Sequence, residues 1–87
     1  MRVEIYTTSW CPYCHAAKAL LVERGIPFDE TDVSGDPDVR AEVNERSGRT
    51  TVPQIFIDGA AIGGYDELRA MDEAGGLDAI TEECDDG

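Results

Sequence analysis

An α/β fold built on a small mixed sheet is what this 87-residue sequence predicts. Three observations lead there. Short segments rich in strand formers alternate with segments patterned as helices. The first two strands are separated by a whole helix, so they must run parallel. Asp58-Gly59 then joins the last two strands as a tight hairpin, which makes that pair antiparallel. The order is β-α-β-α-β-β-α, a four-stranded mixed sheet flanked by helices.

The elements follow in order. Residues 2–7 alternate apolar and polar and form a first strand. Pro12 suits a helix's first turn, where its missing N–H costs nothing. Ala16, Ala17, Ala19, Leu20, Leu21 and Val22 carry that helix to Arg24, and Gly25 stops it with Pro27 beyond. Residues 28–33 read as the second strand. Ser34-Gly35-Asp36-Pro37 is a turn that becomes a helix start, with Asp36 as N-cap and Pro37 as first helical residue. The helix over 38–46 sets Val39 and Val43 on one face and ends at Ser47-Gly48. Residues 54–57 and 60–62 are the hairpin strands, broken off by Gly63-Gly64. A third helix over 66–74 turns Leu68 and Met71 inward and stops at Gly75-Gly76. A short helical turn through Leu77 and Ile80 follows. Residues 1–80 make one domain, and 81–87 make an acidic tail expected to fray.

Bulk composition narrows the function. Hydrophobic content of 41% with 30% charged residues fits one soluble globular domain. The start, Met1-Arg2-Val3-Glu4, shows no signal-peptide pattern, and no apolar run approaches the ~20 residues of a membrane span. A cytoplasmic location is therefore expected, with the chain acting as a monomer. A net charge of −12 repels nucleic acid and anionic membranes, so neither is expected as a partner. From Asp66 onward nine acidic side chains stand against Arg69 alone. A solvated face accounts for this; so does a high-salt cytosol, where a Debye length of ~3 Å suppresses self-repulsion.

The chemistry lies in Cys11-Pro12-Tyr13-Cys14. Two thiols spaced i, i+3 across a helix's first turn can close a disulfide and reopen it. Cys11 sits where unpaired N–H groups stabilise a thiolate, the attacking species in disulfide exchange. Cys14 lies one turn further in and is placed to resolve. A Cys-x-x-Cys at the first strand-to-helix junction of a βαβ unit is the position of a thioredoxin-like redox motif. Rival readings exist. Cys11-x-x-Cys14-His15 also matches a haem attachment pattern, which needs export from the cytosol. A zinc clip needs two further ligands, with only His15 and Cys84 on offer. Cys84 reads as an incidental tail thiol.

Three segments together resemble the glutaredoxin family, dithiol class, over nearly the whole chain. They are Thr7-Thr8-Ser9-Trp10-Cys11-Pro12-Tyr13-Cys14, Thr51-Val52-Pro53-Gln54-Ile55-Phe56-Ile57 and Gly63-Gly64-Tyr65-Asp66-Glu67-Leu68. The resemblance implies a thioredoxin-like fold and glutathione-dependent reduction of protein disulfides and glutathione mixed disulfides. Cys11 would be the nucleophile and Cys14 the resolving thiol, joined in the oxidised state as a redox-active disulfide. No tightly bound cofactor is implied; glutathione is the co-substrate. The resemblance also implies a cis Pro53 facing the cysteines and a Val52 backbone that pairs with the substrate's cysteine like an added strand. Thr51 and Tyr13 would flank the glutathione. The N–H groups after Gly63-Gly64 suit its glutamyl carboxylate. Gly64, Tyr65 and Asp66 would hold that end, with Asp66 serving as N-cap and as partner for the ammonium. Arg40, and secondarily Arg49, would meet the glycyl carboxylate.

One position departs from the family. Many relatives carry a lysine three residues before the first cysteine, and here it is Thr8. That removes a cation from the thiolate and from the glycyl carboxylate, and leaves room for another thiol such as γ-glutamylcysteine. The alternatives are a thioredoxin substitute recharged by a flavoprotein reductase, and an iron–sulfur or metal carrier.

Overall fold

The computed structural model describes residues 2–77. The elements are β1 (Val3–Thr7), α1 (Pro12–Glu23), β2 (Asp29–Asp32), α2 (Pro37–Ser47), β3 (Gln54–Ile57), β4 (Ala60–Gly63) and α3 (Tyr65–Glu73). The sheet order is β2-β1-β3-β4. β1 pairs parallel with β2 and antiparallel with β3, and β4 returns antiparallel beside β3. This is the thioredoxin-like arrangement, with β1 central and its C-terminal end feeding the cysteine loop.

Alternation along β1 divides the core in two. Val3 and Ile5 face α1 and α3, in a cluster with Ala17, Leu21, Ile26, Ile55, Leu68 and Leu77. Tyr6 faces α2, with Val33, Val43 and Phe56. Helix α1 buries Cys14, Ala17 and Leu21, a helical spacing that places the second thiol on the core-facing stripe. Pro12 is in the first turn of α1, and Cys11 is its N-cap. The Asp36 side chain caps α2 by accepting from the Val39 N–H at 3.1 Å. Asp58 and Gly59 both adopt positive φ, 51° and 83°, as a two-residue hairpin turn requires. The Asp58 carboxylate also accepts the Arg2 N–H at 2.8 Å, pinning the turn to the start of β1.

Most element ends shift by one residue from the sequence expectation, and three of the differences have a physical reason. Strand β2 keeps only four residues, all exposed, because it is an edge strand whose apolar neighbours Phe28 and Val33 lie just outside the ladder. Gly63 does not break β4; it is the strand's last residue and pairs with Ile55. Asp66 is not the N-cap of α3. That position belongs to Gly64, in an extended conformation, and Asp66 falls in the first helical turn. Gly64 fits because a side chain there would press on the Pro53 carbonyl, whose oxygen lies 3.2 Å from an ideal Cβ. The Gly64 N–H is satisfied by Glu67 Oε2 at 3.3 Å. Leu77 closes the first cluster, while Ile80, the 81–87 tail and Cys84 lie outside the described residues. Among the described residues no helix is long and apolar enough to cross a membrane.

Candidate active site

The cysteine loop leaves the buried end of β1 and turns directly into α1. As N-cap, Cys11 has extended backbone, and its sulfur accepts the Cys14 N–H at 3.1 Å. Such a bond strengthens when the acceptor carries negative charge. The Cys11 thiol also reaches the Val52 carbonyl at 3.6 Å. The sequence places Cys11 nearest solvent, yet the residue is only 7% exposed, with the Val52 carbonyl 3.6 Å from its sulfur. Cys14 is more deeply set, at 1%. Both thiols are free. Burial pushes the Cys14 thiol up to about 12, and the adjacent Cys11 sulfur adds to the rise. The backbone of Thr8 and the charge of Lys18 act in the opposite sense.

Beside the thiols lies an open cleft of about 310 Å³ lined by Tyr13, Arg49, Thr51, Val52, Pro53, Gly64, Tyr65, Asp66 and Glu67. The Val52–Pro53 bond is cis. One wall is the loop ending at Pro53, and the other is the N-terminus of α3. The Tyr13 and Tyr65 rings stand 6.3 Å apart between centroids, tilted by 34°. Tyr13 is 61% exposed and Trp10 is 96% exposed, so the ground around Cys11 is aromatic. A second hollow, of about 410 Å³, is lined by Arg2, Val3, Pro27, Phe28 and Asp29, at the opposite end of β1 from the thiols. It carries no nucleophile.

The structure thus brings Tyr13, Thr51, Val52, Pro53, Gly64, Tyr65 and Asp66 together around one space beside Cys11. Arg40 is not among the residues lining it. Its guanidinium donates to the Thr50 carbonyl at 3.4 Å. Arg49 does line the cleft and is paired with Glu67. Sequence reasoning overlooked Glu67. Its signal was the spacing Gly64-x-x-Glu67, which puts an acceptor at the third helical position to reach back to the cap. The Arg49 guanidinium holds the Glu67 carboxyl below its ordinary range. Behind the thiols, Lys18 Nζ meets Glu30 Oε2 at 2.8 Å, and Thr7 Oγ1 donates to the same oxygen at 2.8 Å. Among the described residues no three His, Cys, Asp or Glu side chains converge as a metal site.

The sequence model of the glutaredoxin family matches residues 3–62. The chain belongs to the glutaredoxin family. It is similar to glutaredoxin 3 of Escherichia coli (strain K12), at 58% identity over 78 residues, covering 90% of this chain and 94% of that protein. The solution structure of a glutaredoxin from Brucella melitensis is 51% identical with a TM-score of 0.81, covering 93% of this chain and 88% of that one. The crystal structure of a buckwheat glutaredoxin–glutathione complex is 27% identical with a TM-score of 0.85, covering 94% and 77%. As a glutaredoxin, the chain is a thiol–disulfide oxidoreductase with a thioredoxin-like fold.

Proposed function

We propose that this glutaredoxin uses glutathione to reduce protein disulfides and glutathione mixed disulfides, with Cys11 as nucleophile and Cys14 as resolving thiol. The observation that carries the reading is the placement of the Cys11 sulfur. It sits at the α1 N-terminus, 3.6 Å from the Val52 carbonyl, at the edge of a cleft that fits a small peptide thiol. With a glutathionylated protein, the Cys11 thiolate attacks the glutathionyl sulfur and the protein thiolate leaves. A second glutathione thiolate then attacks that Cys11 disulfide, freeing Cys11 and yielding glutathione disulfide. With a protein disulfide, Cys11 forms the mixed disulfide, Cys14 displaces the protein, and two glutathiones reopen the Cys11–Cys14 bond. Family potentials of about −200 to −230 mV lie close to a cytosolic glutathione pool.

In this reading the glutathione cysteine pairs with the Val52 backbone beside Pro53 and Thr51, and Tyr13 lies along it. The γ-glutamyl carboxylate takes the bare N–H groups at the start of α3, beside Gly64, Tyr65 and Asp66. Arg49, from within the cleft, and Arg40, from beyond its rim, supply positive charge for the glycyl end. The buckwheat structure, a glutaredoxin–glutathione complex on the same fold, supports glutathione as the ligand. Residues 1–80 form the catalytic domain, 81–87 an acidic tail, and the enzyme works as a cytosolic monomer without a resident cofactor. Thr8, in place of the family lysine, favours a second reading in which a shorter thiol such as γ-glutamylcysteine serves as well.

The test is reduction of a peptide–glutathione mixed disulfide with glutathione, glutathione reductase and NADPH. The same assay is run with γ-glutamylcysteine, and again with thioredoxin reductase in place of both thiol and glutathione reductase. Turnover with glutathione is expected. Turnover with thioredoxin reductase alone would overturn the proposal, and a strong preference for glutathione would sink the second reading.

A further inference from the structure

Cys14 must lose a proton to displace the substrate, yet it is 1% exposed and its ionisation is opposed by burial. The charged groups on its side of the sheet come from α1, β2 and α3, and those of α3 are taken up by other cations: Asp72 pairs with Arg24, Glu67 with Arg49 and Glu73 with Arg69. Lys18 follows Cys14 by one helical turn on α1, so the two side chains neighbour one another on that helix. Glu30 pairs in register with Ile5, and Asp32 with Thr7, which places both acids on the same sheet face as α1. Among the described residues Cys11 is a further titratable neighbour, its sulfur accepting the Cys14 N–H at 3.1 Å.

Lys18 is the sole lysine of the chain, and its position is fixed. Glu30 Oε2 holds the ammonium at 2.8 Å, and the buried Thr7 hydroxyl holds the same oxygen from β1. The Lys18 side chain is 25% exposed, so its charge is only partly screened by water. Tethered in this way, the cation remains beside the α1 turn that carries Cys14. Its field lowers the cost of a Cys14 thiolate.

We propose that Lys18, held by Glu30 and Thr7, is a positioning residue for Cys14: its ammonium stabilises the Cys14 thiolate in the resolving step and takes no part in the attack by Cys11. The proposal rests on the reading of Cys14 as resolving thiol. The step balances without an added reactant. The Cys14 sulfur bonds to the Cys11 sulfur, the Cys11–substrate bond breaks, and the proton lost by Cys14 ends on the departing substrate thiolate. Lys18 keeps its own proton throughout.

The experiment mixes reduced full-length enzyme with glutathione disulfide. Acid quenching, alkylation and mass spectrometry follow first the Cys11–glutathione mixed disulfide, then its conversion to the Cys11–Cys14 disulfide. Each unit of pKa is tenfold in thiolate fraction, so Lys18→Met should slow the second step on the order of three- to tenfold. The first step should stay within about twofold. The pH profile of the second step should move to the alkaline side, and Lys18→Arg should restore both rate and profile. In a Cys14→Ser background, Lys18→Met should leave turnover of a glutathione mixed disulfide unchanged. Equal slowing of both steps, an unmoved second step, or an effect that persists in the Cys14→Ser background would overturn the proposal. If the native enzyme forms no Cys11–Cys14 disulfide, the resolving reading itself fails, and the proposal with it.

Discussion

The Cys14 N–H points at the Cys11 sulfur across 3.1 Å, so one backbone group links the two thiols while their side chains meet different surroundings. Cys11 borders the cleft through Val52, and Cys14 is sealed in the core-facing stripe of α1. Burial pushes the Cys14 thiol up to about 12. At neutral pH the reduced enzyme should therefore take one equivalent of iodoacetamide at Cys11 and none at Cys14. Peptide mapping by mass spectrometry checks this. Cys14 should label at comparable speed only after unfolding.

The Tyr13 and Tyr65 rings flank the mouth of the cleft. Stacking and covering by a large ring is worth on the order of 1 kcal/mol, or several-fold in binding. Tyr13→Ala should raise KM for a glutathione mixed disulfide about three- to tenfold, leaving kcat within about twofold. Steady-state kinetics at saturating glutathione separate the two. A fall in kcat with KM unchanged would place Tyr13 in the chemical step instead.

Much of the fold was legible because its signals are local. Asp36-Pro37 starts a helix and Asp58-Gly59 turns a hairpin through backbone preferences of the residues themselves. The cap of α3 was less so. The spacing Gly64-x-x-Glu67 pointed to Gly64 and was passed over for Asp66, whereas the close approach of the Pro53 carbonyl that calls for glycine there is recorded in no local pattern. The cleft is assembled across the chain: Cys11 meets Val52 over 41 residues and Arg49 meets Glu67 over 18. The family resemblance turned Pro53 toward the cysteines and gave the Val52 backbone to the substrate, which implies the neighbourhood of the first contact but not the contact itself. Nothing in residue spacing supplied the second, and Arg40 was preferred to Arg49 although only Arg49 lines the cleft.

The Arg49–Glu67 pair ties the loop before Pro53 to the start of α3, the two walls of the cleft. Glu67 titrates below its ordinary 4.5 because of Arg49, and Glu30 does so because of Lys18. A carboxyl with a depressed folded pKa contributes stability above its unfolded pKa and loses it as pH falls through the folded value. Stability should thus be level from pH 7 to about 5 and decline below about 4.5. Both pairs are partly exposed, so Glu67→Gln should cost no more than about 1 kcal/mol at pH 7. It should also flatten part of the acid decline. Urea unfolding at pH 7, 5 and 3.5 measures both effects. A Glu67→Gln loss that stays the same at all three values would contradict the role of the pair.

The central claim is that Cys11 attacks and Cys14 resolves, and one comparison tests it most directly. Cys11→Ser and Cys14→Ser are assayed side by side with the parent enzyme on a peptide–glutathione mixed disulfide in the presence of glutathione. The account predicts that Cys11→Ser is inactive. Cys14→Ser should keep substantial turnover on this substrate while losing the reduction of protein disulfides. Equal loss in both variants on the mixed disulfide, or activity surviving in Cys11→Ser, would contradict it.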